Sequence, residues 1–110
     1  MLSKKDIISV NQEFHTGKLS NESSLDYAIS LTHRSKNWLR TCAVLGRAII
    51  IDHVFEDGNK RTAAGIIMTV MEMNNITYSE QRVYRSVLQI AKKNPRNLIK
   101  IEEAIKNARD

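Results

Sequence analysis

His53-Val54-Phe55-Glu56-Asp57-Gly58-Asn59-Lys60-Arg61-Thr62-Ala63-Ala64-Gly65 (HVFEDGNKRTAAG, 53–65) divides the chain near its middle, between two long apolar segments. Gly58 permits a tight backbone bend, and the run of small and apolar residues after it predicts a helix that starts there. That helix, through Asn74, is apolar on nearly every side: Ala63, Ala64, Ile66, Ile67, Met68, Val70, Met71 and Met73. A helix with no polar face belongs in a core. Its N-terminus is therefore expected at the centre of the fold, walled by other helices and shielded from water.

The same stretch concentrates reactive chemistry. The first turn of a helix has unpaired N–H groups and a partial positive charge, which together favour a phosphate. The backbone of Gly58, Asn59 and Lys60, with the Asn59 side chain, forms the expected cradle. Lys60 adds charge, and Arg61 can clamp a phosphate with its planar fork. Asp57 supplies an oxygen ligand beside that site, which suits magnesium. His53 can take a proton near neutral pH and is the candidate general base. Phe55 is read as an anchor that fixes the loop; Glu56 has no assigned role.

At these residues the chain resembles the Fic/Doc family, whose pattern is H-x-F-x-[D/E/N]-[A/G]-N-[G/K]-R. His53, Phe55, Asp57, Gly58, Asn59, Lys60 and Arg61 meet every specified position. The lysine at position 60, followed by Arg61-Thr62-Ala63, looks like the Doc (death-on-curing) branch. The resemblance implies a helical transferase that uses ATP and Mg2+ to phosphorylate a hydroxyl of a target protein, with a translation factor as the branch's kind of target. It implies a toxin restrained by a small antitoxin. Transfer of AMP by the same fold is the first alternative, and a basic helical module that binds nucleic acid is the second. Basic residues scattered along the chain weigh against nucleic acid. Some family members carry an inhibitory [S/T]-x-x-x-E-[G/N] helix; Ser9 and Glu13 have the spacing, but Phe14 stands where glycine or asparagine belongs, so the match reads as chance.

Composition agrees with a fold of this kind. Hydrophobic residues make up 42% of 110 and charged residues 26%, enough for one modest core and not two. Four glycines, one proline and no alternating apolar pattern argue against a loop-rich or β-rich fold. The expectation is an all-α protein, one domain over 1–110, folded as a compact bundle of about six helices. The formal charge of +5 allows an anionic partner, though such a charge also serves solubility. One cysteine, Cys42, excludes an internal disulfide and reads as an inert core residue in a reducing compartment. Lys4, Lys5 and Asp6 interrupt any signal-peptide core, and no apolar run reaches the roughly 20 residues of a membrane span. A cytoplasmic protein with no membrane contact is expected.

Working outward from the central stretch, Trp38, Cys42, Leu45, Gly46 and Ile49 share one helical face, and four residues further it reaches His53. Before that, Ser20 or Asn21 opens a helix carrying Leu25, Ala28, Ile29 and Leu31. It ends near Thr32–Asn37, where the family resemblance implies a short flap over the active site; His33 and Arg34 read as solvated. Ser3 caps a first helix through about His15, with Ile7, Ile8, Val10 and Phe14 inward and His15 at its C-terminus. After the centre, Ser79 caps a helix through about Lys92 that buries Val83, Val87, Leu88, Ile90 and Ala91. Pro95 is expected in the first turn of a last helix through Arg109.

Overall fold

The computed structural model describes residues 2–110, and these form six α-helices. They are α1 (Lys4–Gln12), α2 (Glu22–Thr32), α3 (Trp38–Gly46), α4 (Asn59–Met73), α5 (Glu80–Lys93) and α6 (Leu98–Lys106). A π-helical turn, Arg47–Ile51, continues α3. The expected all-α bundle is what the chain adopts. Its radius of gyration, 12.3 Å, is slightly below the roughly 13 Å typical of this length, so the helices pack tightly.

Local chemistry places most helix starts. Ser3 Oγ accepts from the Asp6 N–H while Asp6 accepts from the Ser3 N–H, a complete capping box. Asn21, Asn37, Ser79 and Asn97 cap α2, α3, α5 and α6 in the same manner. Asn97, not Pro95, opens α6, because its side chain can accept from the N–H groups of Ile99 and Lys100. Helix α4 differs: Gly58 precedes it at φ 76°, and no side chain caps its first turn.

The core forms where α3 packs on α2, α4 and α6, and α4 packs on α1, α3 and α5. Phe55, Leu25, Leu45, Ile49, Ile66, Ile67 and Met71 are fully buried there. Gly65 lets α1 approach α4 closely, since a Cβ at that position would stand 2.9 Å from Val10 Cγ1. No helix among the described residues is long and apolar enough to cross a membrane.

Several expectations need correction. Helix α1 stops at Gln12, not near His15. The Asn11 carbonyl accepts from the N–H groups of Phe14 and His15, and its side chain catches the Gly17 N–H, so the chain turns away. Phe14 is consequently 45% exposed and outside the core. Leu88 and Met73 are also exposed and outside the core. The Thr32–Asn37 segment is no flap: Ser35 and Lys36 line a hollow beside Asn74, at the C-terminal end of α4. The motif lies at the other end of this 15-residue helix, about 22 Å away.

Candidate active site at the head of α4

The loop from Asp52 to Gly58 is held from both sides. Val54 and Phe55 are buried, and the Val54 carbonyl accepts from the N–H groups of Ser20 and Asn21 at 2.7 and 3.1 Å. The Glu56 N–H donates to the Lys18 carbonyl, and Leu19 and Phe55 form a single antiparallel bridge. From within, Asn59 Oδ1 accepts from the Phe55 N–H at 3.0 Å while Asn59 Nδ2 donates to the Phe55 carbonyl at 2.9 Å. The Asn59 side chain was expected in the anion cradle. Its main work is instead to close this loop, leaving its backbone N–H and one amide hydrogen for a ligand.

Asn11 is the other clamp, and nothing local in the sequence marks it. It is 1% exposed and donates from Nδ2 to the Asp57 carbonyl and to Thr62 Oγ1, both at 2.9 Å. Its Oδ1 accepts from the Gly17 N–H, also at 2.9 Å. One buried amide thus ties the end of α1 to both sides of the Gly58 bend. Buried polar atoms matched in this way fix geometry, because losing any partner leaves an unsatisfied group.

His53 departs from expectation in placement. It does not continue the core face of α3, because the π turn ends that helix at Ile51 and buries Ala48, Ile49 and Ile50 in succession. Such turns are frequent at functional sites. His53 then adopts φ 53°, a left-handed conformation that costs a non-glycine residue of order 1 kcal/mol or more. The result is an exposed imidazole beside the loop.

Asp52 secures this joint. Its carboxylate accepts from Ser24 Oγ at 2.7 Å and Arg96 Nη1 at 2.9 Å, and its backbone carbonyl accepts from Asn21 Nδ2. Burial pushes the Asp52 carboxyl upward, but the hydrogen bonds from Arg96 and Ser24 and the charges of Arg96 and Arg47 outweigh it. The group is held below the usual carboxylate range. A depressed folded pKa adds stability above the unfolded value near 4, and that stability is lost as pH falls through the folded value. Asp52→Asn is therefore expected to lower Tm at pH 7 by roughly 5 °C, about 1 kcal/mol. The difference from wild type should shrink as pH falls past about 4 and vanish only below the folded value. An equal loss at every pH, read by thermal melts across the acid range, would remove the charge from the explanation.

The motif side chains converge on one cleft of about 960 Å³. His53, Glu56, Asp57, Gly58, Asn59, Lys60 and Arg61 all line it, so every residue assigned to the site from sequence is brought together. The cleft is not the shielded pocket expected. His53, Asp57, Lys60 and Arg61 are exposed, because α4 is buried only from Thr62 onward. Its volume matches the range of small-molecule sites. The far wall comes from the C-terminal turns of α5, with Leu88, Ala91, Lys92 and Asn94. None of these has a site role in the sequence, where Leu88 and Ala91 read as core positions.

Charge in the cleft favours an anion. None of Lys60, Arg61 and Lys92 is held in an ion pair among the described residues. The Arg61 guanidinium lies 4.5 Å from the Phe14 ring centre, a cation–π contact that orients it without neutralising it. Glu56 and Asp57 are the carboxylates of the cleft. Among the described residues no three His, Cys, Asp or Glu side chains gather as a metal cage. Such a donor set suits magnesium arriving with phosphates, since that ion takes one or two carboxylates and keeps its waters. Cys42 offers no nucleophile, because burial pushes its thiol up to about 12.

Residues scattered in sequence also meet elsewhere. Lys93, Arg96 and Lys100 flank a second hollow of about 550 Å³ between α5 and α6, facing Glu103. Dispersal along the chain was thus a weak argument against a polyanion. No protein-family model matches the chain, and no curated protein matches it at a significant level.

Proposed function

We propose that the protein transfers a phosphoryl group from ATP to a hydroxyl of a target protein, in the manner of the Doc branch that its motif resembles. The observation that carries this reading is the convergence of a histidine, a carboxylate and an uncapped helix N-terminus with Arg61 in one cleft. Phosphoryl transfer asks mainly for positioning and positive charge, and the cleft offers both.

In this mechanism His53 accepts the proton of the incoming hydroxyl as its oxygen bonds to the γ-phosphorus. The bond from that phosphorus to the β–γ bridging oxygen breaks, and ADP leaves. The N–H groups of the first turn of α4 and the Arg61 fork hold phosphate oxygens. Asp57 would hold magnesium, which supplies neutralising charge to the phosphates when bound. Phe55, Asn59 and Asn11 keep the loop in place. A small inhibitory partner, as in toxin–antitoxin pairs, is the proposed restraint.

AMP transfer is kept as a second reading by one observation. Lys60 is exposed at the cleft, so its stem is free to swing away and leave room for the other orientation of the nucleotide. A nucleic-acid module would leave the strained His53 and the loop clamps without a purpose.

The test is calorimetric titration with ATP, with Mg2+ and with EDTA. Binding in the presence of magnesium is expected to weaken at least tenfold in EDTA, and comparably in Asp57→Ala. Equal affinity in EDTA, with Asp57→Ala behaving as wild type, would remove the metal and this use of the cleft.

A further inference from the structure

We infer that His15 is a second phosphate ligand of this cleft, contacting the phosphate chain of the bound nucleotide alongside the head of α4. The inference rests on the phosphate reading of the cleft given above. The turn after α1 is held against the motif by Asn11. Two successive side chains of that turn are delivered onto the first residues around α4. Phe14 lies under the Arg61 guanidinium at 4.5 Å. His15 lies against Gly58, with its Cδ2 and Nε2 only 2.1 and 2.5 Å from where a Cβ on residue 58 would stand.

Gly58 is thus required twice, once for φ 76° and once for the ring that occupies its side-chain space. The ring lines the cleft, and neither of its nitrogens has a hydrogen-bond partner among the described residues. An imidazole N–H beside uncapped helix N–H groups and an unpaired guanidinium completes an anion site from two separate segments. Glu56 and Asp57 face the same cleft, but Lys60, Arg61 and Lys92 outnumber them. The competing role is a spacer, in which the ring merely fills the room that glycine leaves.

His15→Phe separates the two, because it keeps a ring against Gly58 and removes both nitrogens. Calorimetry with inorganic pyrophosphate and, separately, with ATP and Mg2+ should show both binding roughly tenfold more weakly, the loss of one charge-assisted hydrogen bond. In wild type, the His15 ring signals should shift in NMR spectra on adding pyrophosphate, a readout that does not depend on the variant's folding. Unchanged affinity in His15→Phe, or unshifted His15 signals while pyrophosphate binds, overturns this inference alone. Weakening of ATP but not pyrophosphate overturns it too, by moving His15 to the nucleoside. A wild type that binds neither probe overturns the phosphate reading of the cleft along with it.

Discussion

Replacing His53 with alanine is expected to lower transfer of label from ATP to a target protein by about 10²- to 10⁴-fold, the usual contribution of a positioned general base. Stability should barely change. The imidazole is exposed and supports no packing, and its backbone is fixed by neighbours: Asp52 on one side, and Val54 paired with Ser20 and Asn21 on the other. His53→Asn is the sharper variant, since asparagine tolerates the left-handed conformation at φ 53° while lacking a base near neutral pH. Both variants should melt within a few degrees of wild type and keep their helical circular dichroism. Full activity in His53→Asn would take His53 out of the chemistry and leave its strained backbone unexplained.

Phe55→Ala is expected to have the largest effect on stability. Phe55 is the bulkiest of the fully buried side chains, at 1% exposure, and it sits between the Lys18–Asn21 segment and the start of α4. Truncating such a residue costs about 3–5 kcal/mol, a large share of the roughly 5–15 kcal/mol that holds a domain together. A fall in Tm of at least about 10 °C should follow. Phe55→Leu, which keeps most of the volume, should lose much less. Because His53 and Asp57 flank this anchor, activity in Phe55→Ala should fall even at temperatures where the chain remains folded. An unchanged melt would mean that backbone pairing alone holds the loop.

What could be read in advance divides by distance along the chain. Ser3 and Ser79 were legible as caps because a cap acts within three residues of itself, and Asn21 was one of two adjacent choices. The motif was legible because His53, Asp57, Lys60 and Arg61 reach one cleft from a single contiguous stretch of chain. Asn11 was not, because its partners Asp57 and Thr62 lie 46 and 51 residues away, and in α1 it looks like an ordinary polar position. Phe14 and His15 were misplaced for a related reason. Apolar spacing continued the helix past Gln12, whereas Asn11 and Gly17 turn the chain there and aim both side chains at the motif. The π turn has no sequence signal, so the extrapolated helical face runs on to His53, whereas the structure ends it at Ile51. Leu88 and Lys92 became cleft residues only through the packing of α5 on α4.

Which phosphate of ATP moves distinguishes phosphorylation from nucleotidyl transfer. Lys60 stands at the cleft where a glycine would leave the cradle open to a nucleotide entering with its α-phosphate beside the histidine. Its stem and ammonium oppose that pose and favour presentation of the γ-phosphate to the hydroxyl that His53 deprotonates. Wild-type protein should be incubated with cell lysate, magnesium and ATP labelled at the γ- or, separately, the α-phosphate. Protein-bound label is expected from γ-labelled ATP alone, and less of it with Lys60→Gly. Label arriving from α-labelled ATP in the wild type would contradict this expectation and establish nucleotidyl transfer in place of phosphorylation.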